Sequence, residues 1–309
     1  MPRHVVEVSQ FERDDLELVF QRADQMRSVS KGESSLNGHI LATVFYEPST
    51  RTRLSFESAM LRLGGQVVST ENASEFSSAI KGETVEDTIR IINGYADAIV
   101  IRHHEQGSAR KAASVSAIPI INAGDGPGEH PTQALLDLYT IRHELGRMDN
   151  LRVALVGDLR FGRAVRSLAM LFTRTTGCEL IFVSPPAVPM GEDVRGALNA
   201  AAVPFRDEPD LNRALGEADV VYQTRVQRER FATDADYQAS TGIYLIDQRA
   251  MNAMKADAVL LHPLPRVDEI PVEVDSDPRA AYFRQAHNGV YVRMALLDLL
   301  LRGEWSNSN

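Results

Sequence analysis

Short apolar runs alternate with amphipathic stretches along most of this chain. The apolar runs predict strands at 40–46, 66–69, 97–101 and 118–122, and further along at 152–156, 180–183, 220–222, 244–246 and 259–261. Apolar residues at helical spacing predict helices at 12–29, from Thr50, from Thr84, from Pro131, through 165–171 and at 287–302. Strands that alternate with helices in this way indicate parallel sheets with helices on both faces.

The pattern restarts between Gly146 and Asn150. A chain of 309 residues is long enough for two domains. We therefore predict an α/β protein of two domains, each a mostly parallel sheet flanked by helices. The residues from Trp305 to Asn309 are expected to form a frayed tail.

Composition narrows the classes of function. The net charge of −9 argues against a general nucleic-acid surface but allows a local basic pocket for a small anion. Cys178 is the only cysteine, so no intramolecular disulfide can form, and we expect it to be a small buried residue. The sequence has no apolar run of membrane-spanning length and no N-terminal secretion signal, which predicts a soluble, intracellular protein.

The stretch Ser49-Thr50-Arg51-Thr52-Arg53 carries the strongest chemical signal. It connects a predicted strand to the start of a predicted helix, where unpaired backbone N–H groups and the helix dipole favour an anion. Three hydroxyls add donors, and the two guanidinium groups can pair with phosphate oxygens. A phosphate group fits this position, although a capped helix with solvated arginines is the ordinary alternative.

Further polar residues follow other predicted strands. In the first half they are Arg102, His130 and Gln133, and in the second half Arg163, Thr224, Arg225, Gln227 and the segment His262-Pro263-Leu264-Pro265-Arg266. Each one taken alone could be a solvated surface group. Because ligands of open α/β sheets bind beyond the carboxyl ends of the strands, the whole set predicts an active site in an interdomain cleft.

The sequence around Gly157 and Gly162 lacks the G-x-G-x-x-G pattern of dinucleotide-binding folds. The chain also contains no G-x-x-x-x-G-K-[ST] and no H-E-x-x-H. Metal binding by the adjacent His103 and His104 is not expected, since neighbouring residues of a strand point to opposite sides. We therefore expect no cofactor and no metal.

The motifs together resemble a known family. The segments Phe45–Glu57, Lys81–Thr84, His130–Gln133, Val156–Asp158, Thr224–Gln227 and His262–Arg266 are similar, in the same order, to those of the aspartate/ornithine carbamoyltransferases. The ornithine branch typically has cysteine where this chain has Pro263. Arginines also suit a dicarboxylate better than ornithine, so the resemblance is to the aspartate branch.

The resemblance implies transfer of the carbamoyl group of carbamoyl phosphate to the amine of L-aspartate, in pyrimidine biosynthesis. It implies catalytic roles for Arg51, Thr52, Arg102 and His130. It implies that carbamoyl phosphate is bound by Ser49, Thr50, Arg51, Thr52, Arg102, His130, Gln133, Pro263 and Leu264. It implies that aspartate is bound by Lys81, Arg163, Arg225 and Gln227.

The same resemblance implies a carbamoyl-phosphate-binding domain of residues 1–145 plus 288–309 and an aspartate-binding domain of residues 146–287. It also implies a cytoplasmic homotrimer with shared active sites, in which Ser77 and Lys81 reach the site of the neighbouring subunit. It leaves open whether regulatory or dihydroorotase-like chains join the trimer. Carbamoyl transfer to ornithine and a non-catalytic sensor of phosphate compounds are the alternatives, and we expect neither a nucleic-acid nor a membrane partner.

Overall fold

The computed structural model describes residues 2–29, 34–71, 82–226, 228, 233, 237 and 242–305. The chain divides into two compact units, of which the first comprises Met1–Leu135 and Asn288–Asn309 and the second Leu136–His287. Within the described residues, no helix is both long enough and apolar enough to cross a bilayer.

The first unit is built on a four-stranded sheet. Its strands are β1 (Ile40–Phe45), β2 (Gln66–Glu71), β3 (Ala98–His103) and β4 (Ile120–Asp125), arranged in the order β2-β1-β3-β4. Every neighbouring pair is parallel. The first helices of the chain are α1 (Arg13–Met26), α2 (Thr50–Arg62), α3 (Val85–Ile92), α4 (Ser108–Val115) and α5 (Pro131–Leu145), the last of which contains a unit boundary.

The second unit is built on a five-stranded parallel sheet. Its strands are β5 (Arg152–Val156), β6 (Glu179–Val183), β7 (Phe205–Asp207), β8 (Val220–Gln223) and β9 (Val259–Leu261), in the order β7-β6-β5-β8-β9. The remaining helices are α6 (Arg163–Leu171), α7 (Glu192–Ala200), α8 (Leu211–Glu217), α9 (Gln248–Ala253) and α10 (Tyr282–Leu301). The predicted fold class, two parallel sheets flanked by helices in two domains, is confirmed.

The apolar runs form strands because both faces of a parallel sheet are covered. All six residues of β3 and all six of β4 are buried, including the polar Arg102 and Asn122. The register aligns Phe45 with Arg102, and the backbone N–H of Tyr46 donates to the carbonyl of Arg102 at 2.8 Å. The carboxyl ends of β1 and β3 therefore lie side by side.

The prediction of a strand at 244–246 is wrong, because these residues do not form a strand. Tyr244 and Ile246 are buried in the core of the second unit, which explains the apolar pattern. Their backbone groups bind elsewhere, however: the N–H of Ile246 donates to the carbonyl of Glu269 at 2.9 Å, and the side chain of Gln223 donates to the carbonyl of Tyr244 at 3.2 Å. The segment is therefore buried without belonging to the sheet.

The prediction of a frayed tail is wrong for Trp305. The indole is buried, it donates from Nε1 to Oδ1 of Asp15 at 2.8 Å, and it stacks on Phe11 with ring centroids 6.0 Å apart. The guanidinium of Arg3 lies 4.2 Å from the ring centroid. This residue is part of the first unit, and residues 306–309 lie outside the described part of the chain.

Candidate active site

Helix α2 begins directly after the carboxyl end of β1. Ser49 is its N-cap residue, but the Ser49 side chain makes no capping hydrogen bond. The first-turn N–H groups of a helix have no partner within the helix, so they remain available to a ligand. Thr52 is buried, whereas Thr50 and Arg51 are exposed. The hydroxyls and the helix start thus form one donor-rich surface.

Arg51 and Arg53 differ in their surroundings. Arg53 lies 3.4 Å from Glu57 and 2.9 Å from Glu71, so its charge is already balanced. Arg51 has no carboxylate within ion-pair distance among the residues described. Partial desolvation by the surrounding protein lowers the pKa of Arg51, which nevertheless stays protonated because guanidinium groups do not lose their proton in proteins. Of these two arginines, only Arg51 has a charge that no carboxylate of the described residues balances.

Arg102 lies at the carboxyl end of β3, between the ends of β1 and β4. Its side chain is buried and donates to the carbonyl of Ala123 at 3.0 Å. It also pairs with Glu47, with Nη2 and Oε1 2.5 Å apart. These contacts hold the guanidinium in a fixed position at the edge of the sheet. Glu47 was not identified from the sequence, although its place directly after β1 was a signal for it.

His130 lies immediately before helix α5. It is buried, and its carbonyl accepts from the N–H of Gln133 at 3.0 Å, so it occupies the start of the helix. Its Nδ1 is 3.5 Å from the hydroxyl of Thr132. Gly126 brings the preceding loop close to the one after β3: a Cβ at Gly126, whose φ is +55°, would lie 2.2 Å from the carbonyl oxygen of His104.

The first unit therefore brings Ser49, Thr50, Arg51 and Thr52 to the carboxyl end of β1, Arg102 to that of β3, and His130 and Gln133 to the connection after β4. Because β1, β3 and β4 are neighbours in the sheet, these residues occupy adjoining positions at one edge. Such a group of donors can bind a phosphate and polarise a neighbouring carbonyl.

The second unit repeats this arrangement with arginines. After β5, the carboxylate of Asp158 accepts from the N–H of Arg160 at 3.1 Å and of Phe161 at 2.9 Å, which closes the turn that leads to Arg163 at the start of α6. A Cβ at Gly157, whose φ is +111°, would lie 2.1 Å from the carbonyl oxygen of Thr224. The close approach places the turn after β5 against the residue that precedes Arg225.

Arg225 also lines a cavity of about 190 Å³ together with Gly157, Thr224, Tyr237 and Glu269. Pro263 and Leu264 follow β9, the neighbour of β8, and both are half-buried. The peptide bond between Leu264 and Pro265 is cis, and Leu264 has a φ of +56°. The second unit thus presents cationic groups and strained backbone at one edge of its own sheet.

Ser77, Lys81 and Gln227 lie outside the described residues, so their predicted roles stay predictions. Cys178 is buried, as expected for a small structural residue, and burial raises the pKa of its thiol. In the described part of the chain, no group of three or more His, Cys, Asp or Glu residues is arranged to hold a metal ion.

Two family models match almost the whole chain. The carbamoyl-P binding domain of aspartate/ornithine carbamoyltransferase matches residues 3–143, and the Asp/Orn binding domain matches residues 149–300. Similar proteins include the chloroplastic aspartate carbamoyltransferase of Arabidopsis thaliana, 56% identical over 97% of this chain and 78% of the relative. The aspartate carbamoyltransferase catalytic subunit of Methanocella arvoryzae is 47% identical over 97% of each chain.

Solved structures agree with these sequence matches. The catalytic subunit of M. Jannaschii aspartate transcarbamoylase superposes with a TM-score of 0.90 at 43% identity, covering 97% of this chain and 98% of the other. Aspartate transcarbamoylase from Trypanosoma cruzi, in complex with carbamoyl phosphate and aspartate, gives a TM-score of 0.90 at 40% identity over 96% of each chain. The chain therefore belongs to the aspartate/ornithine carbamoyltransferase family.

Proposed function

We propose that this protein is an aspartate carbamoyltransferase, which converts carbamoyl phosphate and L-aspartate into N-carbamoyl-L-aspartate and phosphate in de novo pyrimidine biosynthesis. The observation that carries the proposal is the group of donors at the adjoining ends of β1, β3 and β4. The relatives named above are aspartate enzymes, which supports aspartate as the acceptor.

The phosphate of carbamoyl phosphate binds at the start of α2. Ser49, Thr50 and Thr52 donate from their hydroxyls, and backbone N–H groups of the first helical turn add further donors. Arg51 supplies a positive charge that no carboxylate in the described part of the chain balances. The 13-residue length of α2 gives the helix a substantial dipole, which favours the anion at this end.

The carbonyl oxygen of the carbamoyl group is held by Thr52, Arg102 and His130. When the amine of aspartate attacks the carbonyl carbon, negative charge develops on this oxygen, and fixed donors stabilise it. The C–O bond to phosphate then breaks, and the departing phosphate takes up the amine proton. His130 needs only to donate a hydrogen bond, so the neutral imidazole suffices.

The amide group of carbamoyl phosphate is oriented by Gln133 and by the backbone carbonyls of Pro263 and Leu264. Arg163, Arg225, Gln227 and Lys81 bind the two carboxylates of aspartate. Guanidinium groups pair with carboxylates in a bidentate manner, which favours a dicarboxylate acceptor over the cationic side chain of ornithine.

The test is an assay of the purified chain with carbamoyl phosphate and either L-aspartate or L-ornithine, in which carbamoylated product and released phosphate are both measured. We expect product with aspartate only. Faster turnover with ornithine would overturn the acceptor assignment. Binding of carbamoyl phosphate without turnover of either amine would make the protein a sensor and not an enzyme.

We also propose a homotrimer in which Ser77 and Lys81 complete the site of the neighbouring subunit. Its mass in solution should be close to three times the chain mass of 34.2 kDa. If sites are shared, mixing inactive Lys81→Ala chains with inactive Arg51→Ala chains should restore part of the activity, because some hybrid sites contain neither change. A monomeric mass, or no recovery on mixing, contradicts this assembly.

We further propose that the protein is cytoplasmic. Imaging of the tagged protein in its native cell tests this location.

A further inference from the structure

The turn after β9 contains a histidine, His262, both of whose ring nitrogens have a hydrogen-bond partner. Nδ1 of His262 lies 2.8 Å from the backbone nitrogen of Leu264, and Nε2 lies 2.8 Å from Oε1 of Glu269. The side chain of His262 is buried, with 1% of its surface exposed. With both ring nitrogens engaged, this imidazole cannot exchange a proton with a substrate.

These contacts also fix the tautomer. The N–H of Leu264 can only donate, so Nδ1 of His262 accepts and the ring proton is on Nε2, where it donates to the carboxylate of Glu269. A protonated ring would place a second donor opposite the N–H of Leu264. The hydrogen bond that closes the turn therefore requires the neutral imidazole.

Charged groups around the ring act in both directions. Burial lowers the pKa of His262, and so do the charges of Arg266 and Arg225, whereas Glu269 acts to raise it. For Glu269, burial acts to raise the pKa, but the interactions that lower it, of which the hydrogen bond from His262 is the largest, together outweigh burial, and the pKa is lowered. The balance favours a neutral ring beside an ionised carboxylate.

The turn needs such support because its backbone is unfavourable. Leu264 has a φ of +56°, a left-handed backbone conformation that residues other than glycine rarely adopt. A residue stays in that conformation only where its surroundings impose it. The contact between its own N–H and His262 is a direct constraint of this kind.

The backbone of His262 is anchored as well. Its N–H donates to Oε1 of Gln285 at 2.9 Å, and Nε2 of Gln285 donates to Asp137 at 2.6 Å. The other oxygen of the Asp137 carboxylate accepts from the hydroxyl of Tyr222 at 2.7 Å. A chain of buried hydrogen bonds thus connects α5, α10 and β8 to the first residue of the turn.

We infer that His262 is a positioning residue, which aims the carbonyls of Pro263 and Leu264 at the amide of carbamoyl phosphate and thereby makes the site selective for a carbamoyl over an acyl group. The inference rests on the proposed carbamoyl transfer. The His262–Glu269 pair thus affects which substrate is bound, but it does so through the turn and does not contact the substrate itself.

Acetyl phosphate separates this role from general damage to the protein. It has a methyl group where carbamoyl phosphate has NH₂, so it can bind at α2 without donating to the turn. For His262→Ala we expect the KM for carbamoyl phosphate to rise about tenfold, the effect of losing well-aligned hydrogen bonds, while the inhibition constant of acetyl phosphate changes by less than about twofold.

Conservative variants keep the test decisive if His262→Ala does not fold. In His262→Asn the side-chain oxygen can still accept from the N–H of Leu264, as in an Asx turn, so most of the selectivity should return. Glu269→Gln keeps an acceptor for Nε2 and should remain within about threefold of the wild type, because only the charge assistance is lost. Glu273→Ala, at an exposed residue of the following segment, is the control and should change neither constant.

The outcomes are distinct. If His262→Ala changes the KM for carbamoyl phosphate and the inhibition constant of acetyl phosphate equally, or changes neither, the positioning role is overturned. Turnover by the wild-type protein would leave the proposed function intact in that case. For a poorly folding alanine variant, a folded His262→Asn protein with equal losses for both ligands would overturn the role. A wild-type protein that makes no carbamoyl aspartate would instead overturn the proposed function.

Discussion

Arg51 and Arg53 lie two residues apart on one helix, and they should respond to truncation in opposite ways. Arg51 has no ion pair within the described chain, so Arg51→Ala leaves no carboxylate without its partner. Its free energy of unfolding should change by less than about 0.5 kcal/mol, as for an ordinary surface substitution. Its activity, however, should fall sharply because the charge that binds phosphate is removed.

The size of that loss follows from the contacts a guanidinium makes. A hydrogen bond between charged groups contributes about 1.5–3 kcal/mol, and a two-pronged contact with phosphate at the upper end of that range corresponds to roughly 100-fold in kcat/KM. The measurement is kcat/KM for carbamoyl phosphate at saturating aspartate, with a urea titration of each variant alongside.

Arg53→Ala is the matched control. It removes the partner of Glu57 and Glu71, which lie 3.4 and 2.9 Å away, so we expect a loss of about 1 kcal/mol in stability. Activity should stay within about threefold of the wild type, since the Arg53 charge is already used inside the fold. A loss of less than about tenfold in Arg51→Ala, or equal losses in both variants, would refute the reasoning.

Three further predictions concern other parts of the molecule. Arg102→Ala should lower kcat by about 100- to 1,000-fold, the effect of removing one oxyanion donor, and a loss below about tenfold would argue against that role. Gly157→Ala should cost about 2 kcal/mol or more in urea unfolding, since a Cβ at φ +111° meets the carbonyl of Thr224 at 2.1 Å; an unchanged midpoint would contradict the clash. Burial and the charge of His104 lower the pKa of His103, so the unfolded state binds the proton more tightly than the folded state does. The free energy of unfolding should therefore fall as the pH drops from about 7 to about 5, by less than about 1.4 kcal/mol per pH unit. His103→Asn keeps an acceptor for Ser108, and its pH dependence measured by urea unfolding should be shallower than that of the wild type, whereas equal slopes would exclude this histidine as the cause.

The positions of the site residues could be predicted because parallel strands deliver their carboxyl ends to one edge of a sheet. Ser49, Arg102 and Arg225 each follow an apolar run, and this alone indicated where their side chains are in the fold. The sequence could not show, however, which buried apolar segments pair in a sheet and which do not. The segment 244–246 has the composition of a strand, yet its backbone groups bind a loop and a side chain.

The partners of the charged residues could not be predicted from the sequence. Arg53 pairs with Glu71 at the end of β2, and Arg102 pairs with Glu47 beyond β1, because the register of the sheet sets which side chains meet. The pairing of His262 with Glu269 depends on the path of the turn between them. Two arginines of one motif can therefore have different surroundings, as Arg51 and Arg53 do, with nothing in the motif to distinguish them.

The first unit takes part of its structure from the far end of the chain, and this has a consequence for biosynthesis. Arg27 donates to Asn288 at 2.7 Å, and Trp305 donates to Asp15 at 2.8 Å, so α1 is completed by residues that a ribosome adds after the whole of the second unit. At ordinary elongation rates the roughly 150 intervening residues take about 8–30 s to synthesise. During that interval Asp15 and Arg27 lack these partners and Phe11 lacks the indole that stacks on it, so this part of the first unit stays exposed and is where a chaperone would act.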